Sequence, residues 1–183
     1  MSATAAMKAV AGVTTACSFA LAGNAFTQSF MSVPALLVDF SVPHAPSHAE
    51  RARRLGRQWL VFWAVGDRVF RPISMLGIAG YGAAAWAAAS GGGNWRLFAI
   101  AAGCNLVNVV HSAVNMQPIN VRLAALAREG TAKGENNSCA QSLNTVQAEK
   151  AEEYAQRWRR LNLVRMIMSL IAGTLAMSQV IQR

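Results

Sequence analysis

WRLFAIAAGCNLVNVVHSAVNMQPIN, residues 95–120, is long and apolar enough to cross a bilayer as one helix. It nevertheless carries Cys104, Asn108, His111 and Asn115 at steps of four, three and four. On a helix those steps put all four on one face. A histidine and two asparagines are costly in hydrocarbon unless they meet a partner or a wet cavity. The stretch therefore predicts a membrane helix that lines something, and the rest of the chain is read outward from it.

The chain has 183 residues, a length that suits one domain. It is 54% hydrophobic and only 14% charged, with mean hydropathy +0.27. That balance excludes an ordinary soluble domain. The apolar runs predict an all-α integral membrane protein, a four-helix up-down bundle in a single domain covering 1–183. The spans are read at about 7–37, 73–89, 95–117 and 161–181, with connectors 38–72 and 118–160. Lys8 followed by an apolar run also fits a signal peptide, but the segment is read as a retained span. Pro34 is expected to end or disrupt the first helix, and Pro118 to end the third. The first connector carries Arg51, Arg54 and Arg57 beside Trp59, Phe62 and Trp63. It predicts an additional amphipathic helix at the membrane surface between spans one and two, with Gly66 as a place to bend.

The formal net charge is +9. In a soluble protein this would point to nucleic acid; beside membrane helices it is set by topology, and no nucleic-acid partner is expected. Of the 17 Lys and Arg residues, Lys8, Arg96 and Arg183 fall on the terminal side and Arg165 within a span, which leaves 13 for the connectors. The connectors are therefore expected in the cytoplasm and both termini on the opposite side. Cys17, Cys104 and Cys139 have neither disulfide-framework nor metal-ligand spacing, and no metal site is expected. His44 and His48 are separated by Pro46 and read as loop histidines. Gly77, Gly80 and the alanines of span two allow close helix approach, including approach of a second copy, so a homo-oligomer is possible.

The pattern of the third span recurs on the fourth. Trp158, Asn162, Arg165 and Ser169 again follow at steps of four, three and four. The third helix ends and the fourth begins on the same side, so the two stripes are expected to face each other in the cytoplasmic half. Asn24 and Gln28, one turn apart on the first span, are candidates for the same lining.

The run His111-Ser112-x-x-x-Met116-x-Pro118-x-Asn120-x-x-Leu123, followed by Trp158-x-x-x-Asn162-x-x-Arg165, resembles a family of small four-helix membrane proteins. That family includes the fungal anthrone oxygenases of aromatic polyketide biosynthesis. Ser32-x-Pro34-Ala35-Leu36 and the connector with Trp59 and Gly66 also fit, so the resemblance covers nearly the whole chain. It implies oxidation of a hydroxyanthrone, a hydrophobic aromatic polyketide, to an anthraquinone by dioxygen, with no organic cofactor required and with membrane lipid as the surroundings.

Such a reaction needs a base for the methylene proton and a partner for the resulting oxyanion. A histidine kept from water stays neutral and accepts a proton, which makes His111 the candidate base. Arg165 is the candidate oxyanion partner. Asn115 and Asn162 complete the expected catalytic set. Asn24, Gln28, Asn108, Asn120, Trp158, Trp59 and Trp63 are the expected substrate-binding residues, the carboxamides for oxygens and the indoles for stacking. Plainer readings stand beside these: His111 as an interhelical tie, Arg165 reaching to headgroups, the asparagines as bundle glue and Trp158 as an interface anchor. Two other functions stay open, a haem- or metal-dependent oxidoreductase with His111 as ligand and a non-enzymatic scaffold or transport subunit.

Overall fold

Alanine, leucine and valine fill the long apolar runs, and in the computed structural model those runs are helices. The structure describes residues 3–40, 48–127 and 150–181. No strand occurs among them. Helix α1 (Ala3–Thr27) passes through a wide π-turn, Gln28–Ser32, into α2 (Val33–Leu36). Helix α3 (His48–Val65) passes through Gly66–Phe70 into α4 (Arg71–Ser90). Helix α5 (Arg96–His111) passes through Ser112–Met116 into α6 (Gln117–Ala125), and α7 (Ala151–Ile181) is unbroken. The four long helices, Met7–Leu36, His48–Ser90, Arg96–Ala125 and Ala151–Ile181, are each long and apolar enough to cross a membrane.

Each π-turn begins six residues before a proline: Gln28 before Pro34, Gly66 before Pro72, Ser112 before Pro118. Val33, Arg71 and Gln117 donate their backbone N–H five residues back, to Gln28, Gly66 and Ser112. The extra residue in the turn draws the carbonyls away from the ring that would otherwise strike one of them. Pro34 and Pro118 therefore do not end their helices. The third helix runs on to Ala125, eight residues past the expected boundary at 117.

The predicted separate surface helix is not seen either. α3 is the upstream part of one 43-residue helix, His48–Ser90. Its apolar face, Ala52, Leu55 and Trp59, is buried with Leu123, Leu126, Ala155 and Trp158. The face that a surface helix would give to lipid thus has a protein partner. At 1.5 Å per residue this helix is about 65 Å long, against about 30 Å of hydrocarbon. Its charged end, like that of α7, continues the bundle beyond the bilayer.

Within the bundle, α1 packs on α4 and α7, and α5 packs on the same two, which closes a ring of four. Close approach is visible at Gly80, where a Cβ would collide with the Thr14 hydroxyl. The core has two apolar ends. One is small-residue packing of Ala11, Tyr81, Ala84, Ala88, Phe98, Ala101, Ala172 and Ala176. The other is the larger cluster that joins α3, α6 and the start of α7. Between them lies a polar layer of Ser18, Gln28, Ser29, Ser74, Asn105, Asn108, Asn162 and Ser169, all buried. Ser18 and Tyr81 hydroxyls bond at 2.9 Å, and Asn108 Nδ2 donates to Ser169 Oγ at 3.0 Å, so the layer ties α1 to α4 and α5 to α7.

Candidate active site

Where the polar layer meets the larger apolar cluster, the helices part around a cavity of about 430 Å³. That is within the usual range for a small-molecule site, roughly 300–1,000 Å³. Its walls come from all four long helices. The first gives Gln28; the second gives Phe62, Trp63, Gly66, Asp67, Arg71 and Ser74. The third gives Asn108, Val109, Ser112, Ala113, Met116, Gln117 and Asn120, and the fourth gives Trp158 and Arg165. All three π-turns contribute residues to it. A widened turn offsets the side chains after it relative to those before, so one helix can present inward residues on both sides of the turn.

Four buried polar atoms of this wall have no protein partner: Gln28 Oε1, Asn108 Oδ1, Trp63 Nε1 and Trp158 Nε1. Two are acceptors and two are donors. Buried polar groups are ordinarily paired, so four orphans around one cavity call for a ligand or water with matching groups. The indoles are held by packing: Trp158 meets Trp59 and Phe62 edge-on, each at 5.3 Å between ring centroids.

Arg165 adds a fixed cation. Its guanidinium donates to Asn162 Oδ1 at 3.1 Å and pairs with no carboxylate among the described residues. Asn162, fully buried, spends its Nδ2 on Ala25 O at 2.9 Å and Ser29 Oγ at 3.0 Å. One carboxamide thus ties α7 to the first long helix and orients the arginine.

Of the residues expected from sequence, Gln28, Asn108, Asn120, Trp63, Trp158 and Arg165 come together on the cavity wall. Asn162 stands behind the wall, and so does Trp59, whose Nε1 donates to Asn120 Oδ1 at 3.2 Å. Asn24 does not reach it. Nor does His111, and the reason is in its bonds. Its Nε2 donates to Leu161 O at 3.0 Å, and its Nδ1 accepts from Asn115 Nδ2 at 3.0 Å. Both ring nitrogens are committed and the imidazole fastens α5 to α7. Asn115 is exposed on the outer side. The expected base and its neighbour therefore lie off the cavity. The helix face that points inward is Phe98, Ala101, Asn105, Asn108 and then Met116; Asn108 is on it as predicted, while Asn105 and Met116 stand where Cys104 and Asn115 were expected.

The same bonding bears on a haem or metal ligand. Coordination by His111 needs a free ring nitrogen, and the structure offers none, so the residue does not fit that role. Among the described residues no group of three or more His, Cys, Asp or Glu stands close enough to hold a metal ion. His44 and Cys139 lie outside the described residues.

The sequence reading missed Asp67, Arg71, Ser74, Ser112 and Gln117. Asp67 was the most findable. It is a lone carboxylate beside a glycine in the aromatic run LVFWAVGDRVF, four residues before an arginine. That arginine is its partner, Arg71 Nη2 to Asp67 Oδ1 at 2.6 Å, and both are partly exposed at the cavity's rim.

A family model described as anthrone oxygenase matches residues 59–175, from Trp59 through nearly all of the fourth long helix. The matched stretch contains every cavity residue but Gln28. No curated protein and no solved structure matches the chain.

Proposed function

The chain belongs to the anthrone oxygenase family, and from that premise we propose that it is an integral membrane oxygenase that oxidises a hydroxyanthrone to an anthraquinone with dioxygen. The supporting observation is the cavity wall. It joins flat aromatic surfaces, Phe62, Trp63 and Trp158, to a guanidinium without a carboxylate partner among the described residues. A planar tricyclic ketone with hydroxyls beside its carbonyl complements both features.

In this reading Arg165 and the indole N–H groups of Trp63 and Trp158 receive the ketone oxygen, which becomes an oxyanion when the opposite methylene loses a proton. Donors already in place and away from bulk water favour the charged form over the neutral ketone. Gln28 Oε1 and Asn108 Oδ1 accept from the ring hydroxyls and fix the ring's orientation. The electron-rich anthrolate passes an electron to dioxygen, and the two radicals combine at the former methylene carbon. The resulting hydroperoxide loses water to give the second ketone. One dioxygen enters and one water leaves, so no external reductant is required, and no organic cofactor is needed.

The test is aerobic incubation of purified, metal-analysed protein with emodin anthrone, following quinone absorbance and oxygen uptake. The expected result is quinone formation well above the spontaneous rate with one dioxygen consumed per quinone. A rate equal to that of protein-free detergent overturns the reading. A Soret band in active protein, lost together with activity on haem removal, favours the haem-dependent alternative instead.

A further inference from the structure

The proposed reaction needs a proton acceptor, and the imidazole first expected to serve is off the cavity with both nitrogens bonded. The wall itself narrows the choice. Among the described residues that line the cavity, the titratable side chains are Asp67, Arg71 and Arg165. Two are guanidiniums, which do not give up a proton in proteins. The remaining group is a carboxylate.

Asp67 is also suitably free. Arg71 holds one of its oxygens, Oδ1, and the other has no protein partner among the described residues. The preceding residue is Gly66, at the start of a π-turn, and a Cβ there would meet nothing within 4 Å. Open space thus adjoins Gly66, which lines the cavity next to Asp67 in the chain. The Asp67 side chain is 40% exposed, so it is not sealed inside the protein.

Resting on the anthrone-oxidising reading, we propose that Asp67 is the catalytic base, with Arg71 holding its carboxylate in place. Asp67 Oδ2 takes one methylene proton, and the electron pair of that C–H bond moves into the ring system and onto the ketone oxygen facing Arg165. The proton is returned when the dioxygen adduct becomes a hydroperoxide. Asp67 then takes the second proton from the same carbon as the O–O bond breaks. The C–H electron pair becomes the second C=O bond, and hydroxide leaves and is protonated to water. One carboxylate serves both transfers and ends in its starting state.

Proton abstraction can be followed without oxygen. In anaerobic D₂O, full-length protein in detergent should speed deuterium entry at the methylene of emodin anthrone, read by NMR. Asp67→Asn should lose this by about 10²-fold or more, the range for a positioned base. It should still bind the anthraquinone product, read by tryptophan quenching. Asp67→Ala should be inactive until formate is added, whereas chloride should not restore it. Exchange by Asp67→Asn at the wild-type rate, or an Asp67→Ala variant that binds product but gains nothing from formate, overturns the assignment. Asp67-dependent exchange without aerobic quinone formation supports the base and defeats the oxygenase reading. Aerobic quinone formation that Asp67→Asn leaves unchanged does the reverse.

Discussion

Arg165 is a charge placed among apolar helices, and its hydrogen-bond partner among the described residues is an amide oxygen. A charge in that setting is costly unless something completes it, and in the proposed reaction the ligand's oxyanion does so. Arg165→Gln should lower turnover about 10²- to 10³-fold, the loss seen when one oxyanion donor is removed. Arg165→Lys should recover only part, because a point charge does not reproduce the planar fork. Steady-state quinone formation measures both. His111 separates structure from chemistry in the opposite sense. His111→Ala removes the part-buried tie to Leu161 and should cost about 1 kcal/mol, the usual net worth of one hydrogen bond. Turnover per folded molecule should not change, since the ring is not on the cavity. Thermal melting in detergent and activity normalised to folded protein distinguish the two effects. Gly66 gives a third residue-scale case. Gly66→Leu meets no protein atom within reach of its Cβ, so melting should not fall, but the new side chain occupies ligand space beside Asp67 and product affinity should drop at least tenfold, read by tryptophan quenching.

Three of the four long helices carry a π-turn six residues ahead of a proline, and each of these turns borders the cavity. A proline in a helix interior costs about 3 kcal/mol when the helix stays α-helical around it. Replacing Pro118 by Ala removes the reason for the wide turn at Ser112–Met116. The expected outcome is higher melting together with lower turnover, because closing the turn rotates Met116 and Asn120 relative to Asn108. Higher melting with unchanged turnover would show that the wide turn does not matter to the site. The four helices and the inward aim of Trp158 and Arg165 were legible because the 3.6-residue period of α7 is unbroken from Ala151 to Ile181. The prolines misled because a proline and the wide turn that accommodates it form one unit, and propensity weighs residues singly. Of the stripe Cys104, Asn108, His111 and Asn115, Asn108 does reach the cavity wall. Asn115 misses it for a related reason, since it lies inside a π-turn, where the α-helical period no longer holds. Asp67 escaped notice because a charge in a connector reads as solvated until the connector proves to be a continuous wall.

On the scale of the whole molecule, the bundle is asymmetric in both packing and charge. The alanine-rich end adjoins the short α4–α5 turn, while the end built from α3, α6 and the start of α7 carries the arginines and abuts the cavity. A hydrophobic substrate dissolved in the bilayer would meet the cavity near that charged end, and the side on which this end stands decides where product is released. The 13 connector Lys and Arg residues lead us to propose the cytoplasm for it, by the positive-inside rule. Cysteine accessibility tests this directly. In a chain with Cys17 and Cys104 replaced by Ala, Cys139 of the second connector is the remaining thiol. In bacterial spheroplasts a membrane-impermeant maleimide should leave it unlabelled until the membrane is opened. With Cys139 also replaced by Ala, Ser2→Cys should label in intact spheroplasts. The reverse pattern would put the cavity's charged end outside and invert the topology. Labelling of both positions from the same side would contradict this topology, since three spans, an odd number, separate residue 2 from residue 139 and put them on opposite sides.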